Sequence, residues 1–528
     1  MSGMSISMNN WATPIASSAP SGSRSGVRFR DGDVALVLAI ALQLLEFVYA
    51  YPATVLKIIL VSLCTFPGRA VFLPALFVCQ FFASDFQLGE MMTFEYLLER
   101  HESARIMVFG FPLTTNYAFA ACVTIRVLHE AFSRPRTFAG IISPMWLLLW
   151  VSCFLPAVLS ATLGKAEARF SWTAPIRDVM MVGCIFYGMI LARNVDDTIA
   201  VITRRLVPLS CAMITLAMAG YFYSRGMYFV TALGPSLFLS WKAFAGRAGR
   251  WAIYAYLFSL TSLYAFALYP TPYARQIAES LYSTSGNSTA LIACWVLPIV
   301  IIVIIRRNSR VDNRRAGWVN LLPVVAGVSA LLLPVAFAIL SVTFTVEMQK
   351  VKDPGELPVR ERFVYKLFYD RAPIWRGALD EILTPPFFLK TGGMSMGYRL
   401  MLDGDKVPWP AGSHNLALEE LRRNGWYTGA ICLILILRGS VFALRAVIKA
   451  SDPVVRAFAI ASFSSLFILS LTSHIPMETN AALWLLGPAG MCASLVQGHR
   501  GLIAHRGRGL TVTNPNLMRP EVGVAFAH

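Results

Sequence analysis

The feature that most constrains this chain is the repetition of long apolar runs, which alternate with short charged segments along most of its length. Many of these runs approach or exceed the roughly 20 residues that an α-helix needs to cross a bilayer. The chain is 56% hydrophobic and only 14% charged. A soluble domain of this size could not cover so much apolar surface with polar groups. The pattern therefore predicts an all-α fold, built as a polytopic bundle of transmembrane helices.

The apolar runs give about 12 to 14 candidate spans, of which the second and third are the shortest. They start near Val34, Val55, Val71, Ile106, Phe138, Trp172, Leu206, Met227, Trp251, Ala290, Trp318, Trp426, Val454 and Ala481. On this basis the chain has five parts: a polar, disordered tail (1–33), a first set of spans (34–345), a long loop (346–425), a last set of spans (426–498) and a basic tail (499–528).

The charges indicate how the predicted bundle is oriented. Loops such as "SRPR", "KAFAGRAGR" and "RRNSRVDNRR" are strongly basic, and they alternate with mixed or acidic loops such as "SHIPMETN". Since Lys and Arg are retained on the cytoplasmic side during insertion, both termini are expected in the cytoplasm and the loop 346–425 outside. The net charge of +17 is explained by this distribution, so no nucleic-acid partner is expected.

The long outer loop spans roughly 75 residues, which is far more than a typical connection between helices. Its segment "DRAPIWRGALDEIL" predicts a helix of about three turns, with an apolar stripe formed by Trp375, Leu379 and Ile382. A second short helix is expected after Ser413, a candidate N-cap, and Asn424-Gly425 is expected to end it. Trp426 and Tyr427 then form an aromatic anchor at the membrane interface.

Several polar side chains of the predicted outer face could carry chemistry. His414, in "AGSHNLALEELRRNGWYTG", can accept a proton near neutral pH, although a capping or interfacial role would also explain it. Arg371 and Arg376 carry the fork-shaped guanidinium group that suits phosphate oxygens, unless they only pair with neighbouring acids. Arg225 lies in a very short outer turn, "YFYSRGMYFV", where a charge must reach the surface or serve a purpose.

Two of these segments carry a family resemblance. "RAPIWRGALDEILTPPFF" and the downstream "SHNLALEELRRNGWYTGAICLIL" resemble the signature region of the O-antigen ligase/polymerase superfamily. The stretch from Ser224 resembles an upstream family segment that carries another arginine. The matching residues are Arg225, Arg371, Trp375, Arg376, His414, Asn415, Leu418, Gly425 and Gly429.

The resemblance implies a metal-independent glycosyltransferase of the bacterial inner membrane that needs no cofactor. The donor would be a glycan on an undecaprenyl diphosphate carrier, and the acceptor either another glycan or the lipid A core. His414 would be the general base, Arg225, Arg371 and Arg376 would bind the diphosphate, and Trp375, Asn415 and Glu419 would support them. A chain-length regulator and a flippase of the same pathway are possible partners, besides membrane lipids.

Three other interpretations stay open at this stage. A ligase would use the same donor and outer-loop chemistry as a polymerase. A flippase of lipid-linked oligosaccharides would favour ionisable residues inside spans, for which Glu46, Lys57 and Arg177 are candidates. A membrane scaffold without chemistry would tolerate free substitution of the outer polar residues.

Overall fold

The computed structural model describes the following residues: 24–46, 49–81, 106–108, 111–113, 115–134, 138, 142–163, 174–210, 229–230, 232–233, 236, 294, 296–303, 336, 372–385, 398–400, 409–411, 415–450, 452–472 and 482–509. Helices dominate these residues, which agrees with the predicted helical class. Two pairs of three-residue antiparallel strands accompany them.

The elements follow in chain order. They are α1 (Arg24–Glu46), α2 (Ala50–Thr65), a 3₁₀ turn (Ala70–Phe72), α3 (Leu73–Phe81), β1 (Ile106–Val108), β2 (Phe111–Leu113), α4 (Thr115–Ser133), α5 (Pro144–Ser152), α6 (Phe154–Leu163), α7 (Ala174–Leu191), α8 (Val195–Val201) with a π-helical extension (Ile202–Leu206), α9 (Ala372–Leu383), β3 (Tyr398–Leu400), β4 (Trp409–Ala411), α10 (Leu416–Lys449), α11 (Pro453–Thr472) and α12 (Ala482–Gly509).

Two of the described helices are long and apolar enough to cross a bilayer, Leu416–Lys449 and Pro453–Leu471. A third span results if Pro175–Leu191 and Val195–Ser210, which are bent by 110° at their junction, form one crossing. The helix segments Pro52–Thr65 and Ala482–Val496 are apolar but shorter. The described residues therefore contain two or three helices that could span a membrane.

Helix α7 lies at the centre of the main apolar core, where it packs against α12, α4 and α10. Its contact with α12 is a close backbone approach at glycines: a Cβ on Gly188 or Gly490 would collide with a carbonyl group of the opposite helix. Small residues allow helices to approach in this way, so that dispersion contacts and polar links can form between them. One such link runs from the Ser494 hydroxyl to the Met189 carbonyl oxygen over 2.8 Å.

The last three predicted spans begin where the sequence places them. The α10 backbone is broken at Gly425, immediately before Trp426, while α11 begins at Pro453 and α12 at Ala482. Proline at the start of a helix costs no hydrogen bond, because the first amides have no intrahelical partner. These predicted starts agree with the helix boundaries in the described residues, and the first two of the three helices are long and apolar enough to cross a membrane.

Three earlier starts differ from the prediction. The start near Leu206 is wrong, because Leu206 lies within a helix that begins at Val195. Ile106 lies in the first strand of a hairpin, and the helix begins only at Thr115. The fifth candidate was placed near Phe138, whereas α5 begins at Pro144 with Ser143 as its cap. In these last two cases the apolar run continues past the helix end, so hydrophobicity alone could not locate the boundary.

The amino-terminal boundary also differs. The segment 1–33 is expected to be disordered, but α1 begins at Arg24. Asp33, in the first turns of that helix, pairs with Arg205 at 2.7 Å. The charged residues before Val34 therefore belong to α1, and the helix begins ten residues before the apolar run does.

Candidate functional site

The predicted site residues divide into two groups. Arg225, Arg371 and His414 lie outside the described residues. Trp375, Arg376, Asn415 and Glu419 lie within them, on α9 and at the beginning of α10. The structure thus describes the elements that flank His414 and follow Arg371.

Helix α9 packs directly on the beginning of α10 and thereby joins the two segments that carry the family resemblance. Trp375, Ala378 and Ile382 of α9 are buried against Leu418 in a small cluster separate from the main core. Leu379 and Leu421 pack around this cluster. The predicted apolar stripe of α9 is therefore confirmed, and the surface it covers is the first turn of α10.

The first turn of α10 is capped by a residue other than the one predicted. Asn415 is the N-cap, because its Oδ1 accepts a hydrogen bond from the Leu418 amide at 3.1 Å. Its side-chain Nδ2 also donates to the Leu471 carbonyl oxygen of α11 at 3.4 Å. The prediction of Ser413 as the cap was wrong, since the helix starts two residues later. Asn415 fixes the chain immediately after His414 to two helices.

A sharp break divides α10 at Gly425, where φ is 71° and ψ is 177°. This conformation is open to glycine and strained for other residues. Beyond the break, Gly429 lies so close to the earlier segment that an added Cβ would stand 2.6 Å from the Glu420 carbonyl oxygen. The two glycines therefore let the short segment 416–424 fold tightly against the beginning of the long helix, as the predicted stop at Asn424-Gly425 requires.

Arg422 connects α9 and α10 through ionic contacts. Its Nη2 and Nε donate to the two carboxylate oxygens of Glu419 at 2.6 and 3.3 Å, and its Nη1 donates to Oε2 of Glu381 at 3.2 Å. The Arg422 side chain is only 6% exposed. Glu419, predicted as a supporting residue, thus holds an arginine of its own helix.

Arg376 is exposed, about 100° around α9 from the buried Trp375. Sequence reasoning allowed it to pair with Asp380 or Glu381. In the described part of the chain it forms neither pair, and Glu381 instead contacts Arg422. Arg376 therefore presents its guanidinium group away from the α9–α10 contact.

A second group of buried charges lies where α7 meets α10. Asp178 of α7 is fully buried and accepts hydrogen bonds from Arg177 at 3.1 Å and from Asn424 at 3.2 Å. Arg423 approaches the same carboxylate at 3.6 Å. Asn424 also donates to the buried Glu420 at 2.8 Å. One amide thus bridges two buried carboxylates from helices far apart in the sequence.

Sequence reasoning missed Asp178, Glu420 and Arg423 as members of this group. It singled out Arg177 as an ionisable residue within an apolar run, and the adjacent Asp178 carries the same signal. Glu420 carries no sequence signal of burial, because "LEELRRNG" is compatible with a solvated helix. Its burial follows from the break at Gly425, which turns this segment onto the long helix.

The interior around Glu420 is incompletely hydrogen-bonded. Among the described residues, Oε1 of Glu420, Oδ1 of Asn424 and Oγ1 of Thr428 are buried without a hydrogen-bond partner. Glu420 and Asn424 are four residues apart and share one side of the short segment before the break, while Thr428 lies just after the break. Buried polar atoms of this kind commonly bind ordered water.

Two aromatic residues follow the break, as the predicted interface anchor requires. Trp426 and Tyr427 are 44% and 40% exposed. The Trp426 indole Nε1 donates to the Ile382 carbonyl oxygen at the end of α9 over 3.3 Å. The Tyr427 hydroxyl lies 2.8 Å from the Ser152 hydroxyl of α5. Trp426 therefore gives α9 a second polar attachment beside Arg422.

The arrangement combines positively charged donors with fixed acceptors around the start of α10. Arginine forks can stabilise charge that develops on phosphate oxygens, and the carboxylates hold those forks in place. In comparisons with known proteins, no protein-family model matches the sequence, and no curated protein matches it.

Proposed function

We propose that this protein is a polytopic inner-membrane glycosyltransferase that transfers glycan repeat units from an undecaprenyl diphosphate carrier to an acceptor glycan. In this proposal both termini are cytoplasmic, and the loop 346–425 forms the catalytic region on the periplasmic face. The product would be an exopolysaccharide, a capsule or an O-antigen. The alternative within the same chemistry is a ligase that uses the lipid A core as acceptor.

The observation that carries the proposal is the packing of α9 on the first turn of α10. The two segments that resemble the superfamily, 371–388 and 413–435, are separated by 24 residues, which is longer than a typical connection. They nevertheless share one apolar cluster and one arginine link between Glu381 and Arg422. Such joint packing is expected if both segments contribute side chains to one site.

The relative direction of α7 and α10 supports the proposed topology. Both helices run away from the polar group at their amino-terminal ends, where Asn424 contacts Asp178. The positive-inside rule assigns both of these ends to the outer face. The proposed orientation is therefore consistent with the contact between the two helices.

In the proposed reaction the acceptor hydroxyl attacks the anomeric carbon of the carrier-linked sugar. The bond from that carbon to the phosphate oxygen breaks, and undecaprenyl diphosphate leaves with the bonding electrons. His414 would take the hydroxyl proton, a contribution on the order of 10²–10⁴-fold. Arg225, Arg371 and Arg376 would stabilise the leaving diphosphate, at about 3–4 kcal/mol for one well-placed group.

The decisive experiment compares His414→Ala with His474→Ala, a histidine that the charge pattern assigns to the same face. The purified proteins in lipid nanodiscs receive a synthetic glycan on undecaprenyl diphosphate, and product length is followed by gel electrophoresis. We expect elongation by the wild type and by His474→Ala, and none by His414→Ala. Elongation at the wild-type rate by His414→Ala would remove His414 from the mechanism.

Polymerase and ligase are separated by deleting the gene and sizing the surface polysaccharide. Repeats that are short but attached to an intact acceptor indicate a polymerase. Full-length glycan that stays on its carrier indicates a ligase.

A flippase of lipid-linked oligosaccharides is the second candidate, favoured by the charged residues buried within helices. Lys57 is fully buried and donates to Gln43 at 2.9 Å. Glu130 is also buried, between Arg126 and Arg193. In a deletion strain, carrier-linked repeats on the inner leaflet would favour the flippase, whereas accumulation on the outer leaflet would favour the transferase.

A further inference from the structure

We infer that the ion pair between Glu381 and Arg422 positions helix α9, and with it Arg376, relative to the start of α10. This inference rests on the proposed transferase function, in which Arg376 contacts the donor diphosphate. Glu381 and Arg422 are then positioning residues, which act through Arg376 and do not touch the substrate themselves.

Arg422 is fixed before it meets Glu381. Two of its nitrogens bind both oxygens of Glu419 one turn earlier in the same helix, at 2.6 and 3.3 Å. A bidentate arginine–carboxylate pair restrains the plane of the guanidinium as well as its position. The remaining Nη1 therefore points at a defined place, and Glu381 meets it there at 3.2 Å.

The apolar contact between α9 and α10 alone would restrain rotation of α9 weakly. It consists of four buried residues, Trp375, Ala378, Ile382 and Leu418, and hydrophobic burial is non-directional. Adjacent residues of an α-helix point about 100° apart. A rotation of α9 by one residue would thus exchange the buried Trp375 for the exposed Arg376.

The directional contacts lie at the carboxyl-terminal end of α9. Glu381 binds Arg422, and the next residue, Ile382, accepts a hydrogen bond from the Trp426 indole at 3.3 Å. Hydrogen bonds weaken steeply with misalignment, so together they select one rotation of the helix. Arg376 lies about one and a half turns before this attachment. Over so short a distance the helix does not bend, so fixing the rotation of α9 at Glu381 also fixes the direction of Arg376.

The chain offers a matched control for Glu381. Asp380, next to Glu381, is exposed, and its backbone carbonyl accepts from Thr384. Asp380→Asn therefore makes the same charge change on the same helix without touching Arg422.

The experiment uses the full-length protein in nanodiscs and compares wild type, Glu381→Gln, Glu381→Asp and Asp380→Asn. Hydrogen exchange of the α9 amides measures docking, and donor-dependent elongation kinetics measure the effect on Arg376. In Glu381→Gln we expect α9 to exchange at least about fivefold faster, because its local opening becomes easier. We expect kcat to fall about tenfold, with KM for the donor within twofold of wild type.

The conservative variant and the control separate loss of the ion pair from the general effect of removing a charge on α9. Glu381→Asp keeps the carboxylate and should recover at least half of the wild-type kcat, while Asp380→Asn should match wild type in both measurements. Unchanged exchange in Glu381→Gln would overturn the inference. So would faster exchange with unchanged kcat, since the ion pair would then be structural only.

Failure of the proposed function is recognised separately. If the wild-type protein does not elongate the glycan, the transferase proposal fails. In that case the exchange data still decide whether Glu381 holds α9 on α10.

Discussion

Replacement of Gly429 by alanine should reduce activity far more than it reduces stability. The added Cβ would lie 2.6 Å from the Glu420 carbonyl oxygen and 3.1 Å from the Leu421 Cα. Both obstacles are backbone atoms of the segment 416–424, so no side-chain rotation can relieve the contact. The segment must move away from the long part of α10.

The size of this displacement follows from the contact distance. Ordinary van der Waals contact begins at 3.4 Å, so the segment has to shift by roughly 0.8 Å, and such overpacking costs about 1–3 kcal/mol. Alanine regains about 1 kcal/mol of helix propensity, which leaves a net destabilisation of about 1 kcal/mol. A misplacement of about 1 Å can reduce a rate on the order of 100-fold.

The assay pairs donor-dependent elongation in nanodiscs with thermal unfolding followed by tryptophan fluorescence. We expect Gly429→Ala to lose at least tenfold in kcat, while Tm falls by only a few degrees. The matched control is Gly439→Ala in the same helix, whose Cβ would lie 3.3 Å from the flexible end of the Ile185 side chain and in ordinary contact with the Ala489 Cβ at 3.5 Å. This control should keep the wild-type kcat, and its Tm should not fall, because alanine is the better helix former.

Wild-type activity in Gly429→Ala would refute the argument that the tight fold at the break positions the segment after His414. Equal losses in Gly429→Ala and Gly439→Ala would also refute it, because the effect would then come from helix packing in general.

Three further predictions concern the same region. Asn415→Ala removes the cap of α10 and should lower the free energy of unfolding by about 1 kcal/mol; an unchanged Tm would contradict the assigned cap. Trp375→Ala should cost about 3–5 kcal/mol of docking energy, seen as fast hydrogen exchange of α9, and wild-type protection there would show that α9 does not depend on this contact. Asp178→Ala leaves Arg177 and Arg423 without their shared carboxylate and should cost about 3–5 kcal/mol. Asp178→Asn keeps the side-chain shape and should yield more folded protein than Asp178→Ala in size-exclusion chromatography. Equal yields from the two variants would exclude a role for side-chain shape.

Local signals in the sequence were sufficient for the helices at the carboxyl-terminal end. The starts near Trp426, Val454 and Ala481 are marked by a glycine, a proline and the onset of an apolar run, and each agrees with the structure to within one residue. The apolar stripe of α9 was equally readable, because its spacing of three and four residues specifies one helix face.

The cap of α10 shows where local signals become ambiguous. Ser413 and Asn415 are both good capping residues, and the sequence favoured the first. Asn415 is used because its amide also reaches the Leu471 carbonyl oxygen of α11. A contact with another helix therefore decides between two locally equivalent positions.

The sequence by itself determined that the chain is helical and apolar, and which residues lie on the inner face of each short amphipathic helix, because these properties depend on neighbours within a few residues. Only the tertiary structure decided that Glu381 pairs with Arg422 and that Asn424 bridges Asp178 and Glu420. A charged side chain can pair with any opposite charge within reach. Which partner comes within reach is set by the packing of α7, α9 and α10 and by the break at Gly425.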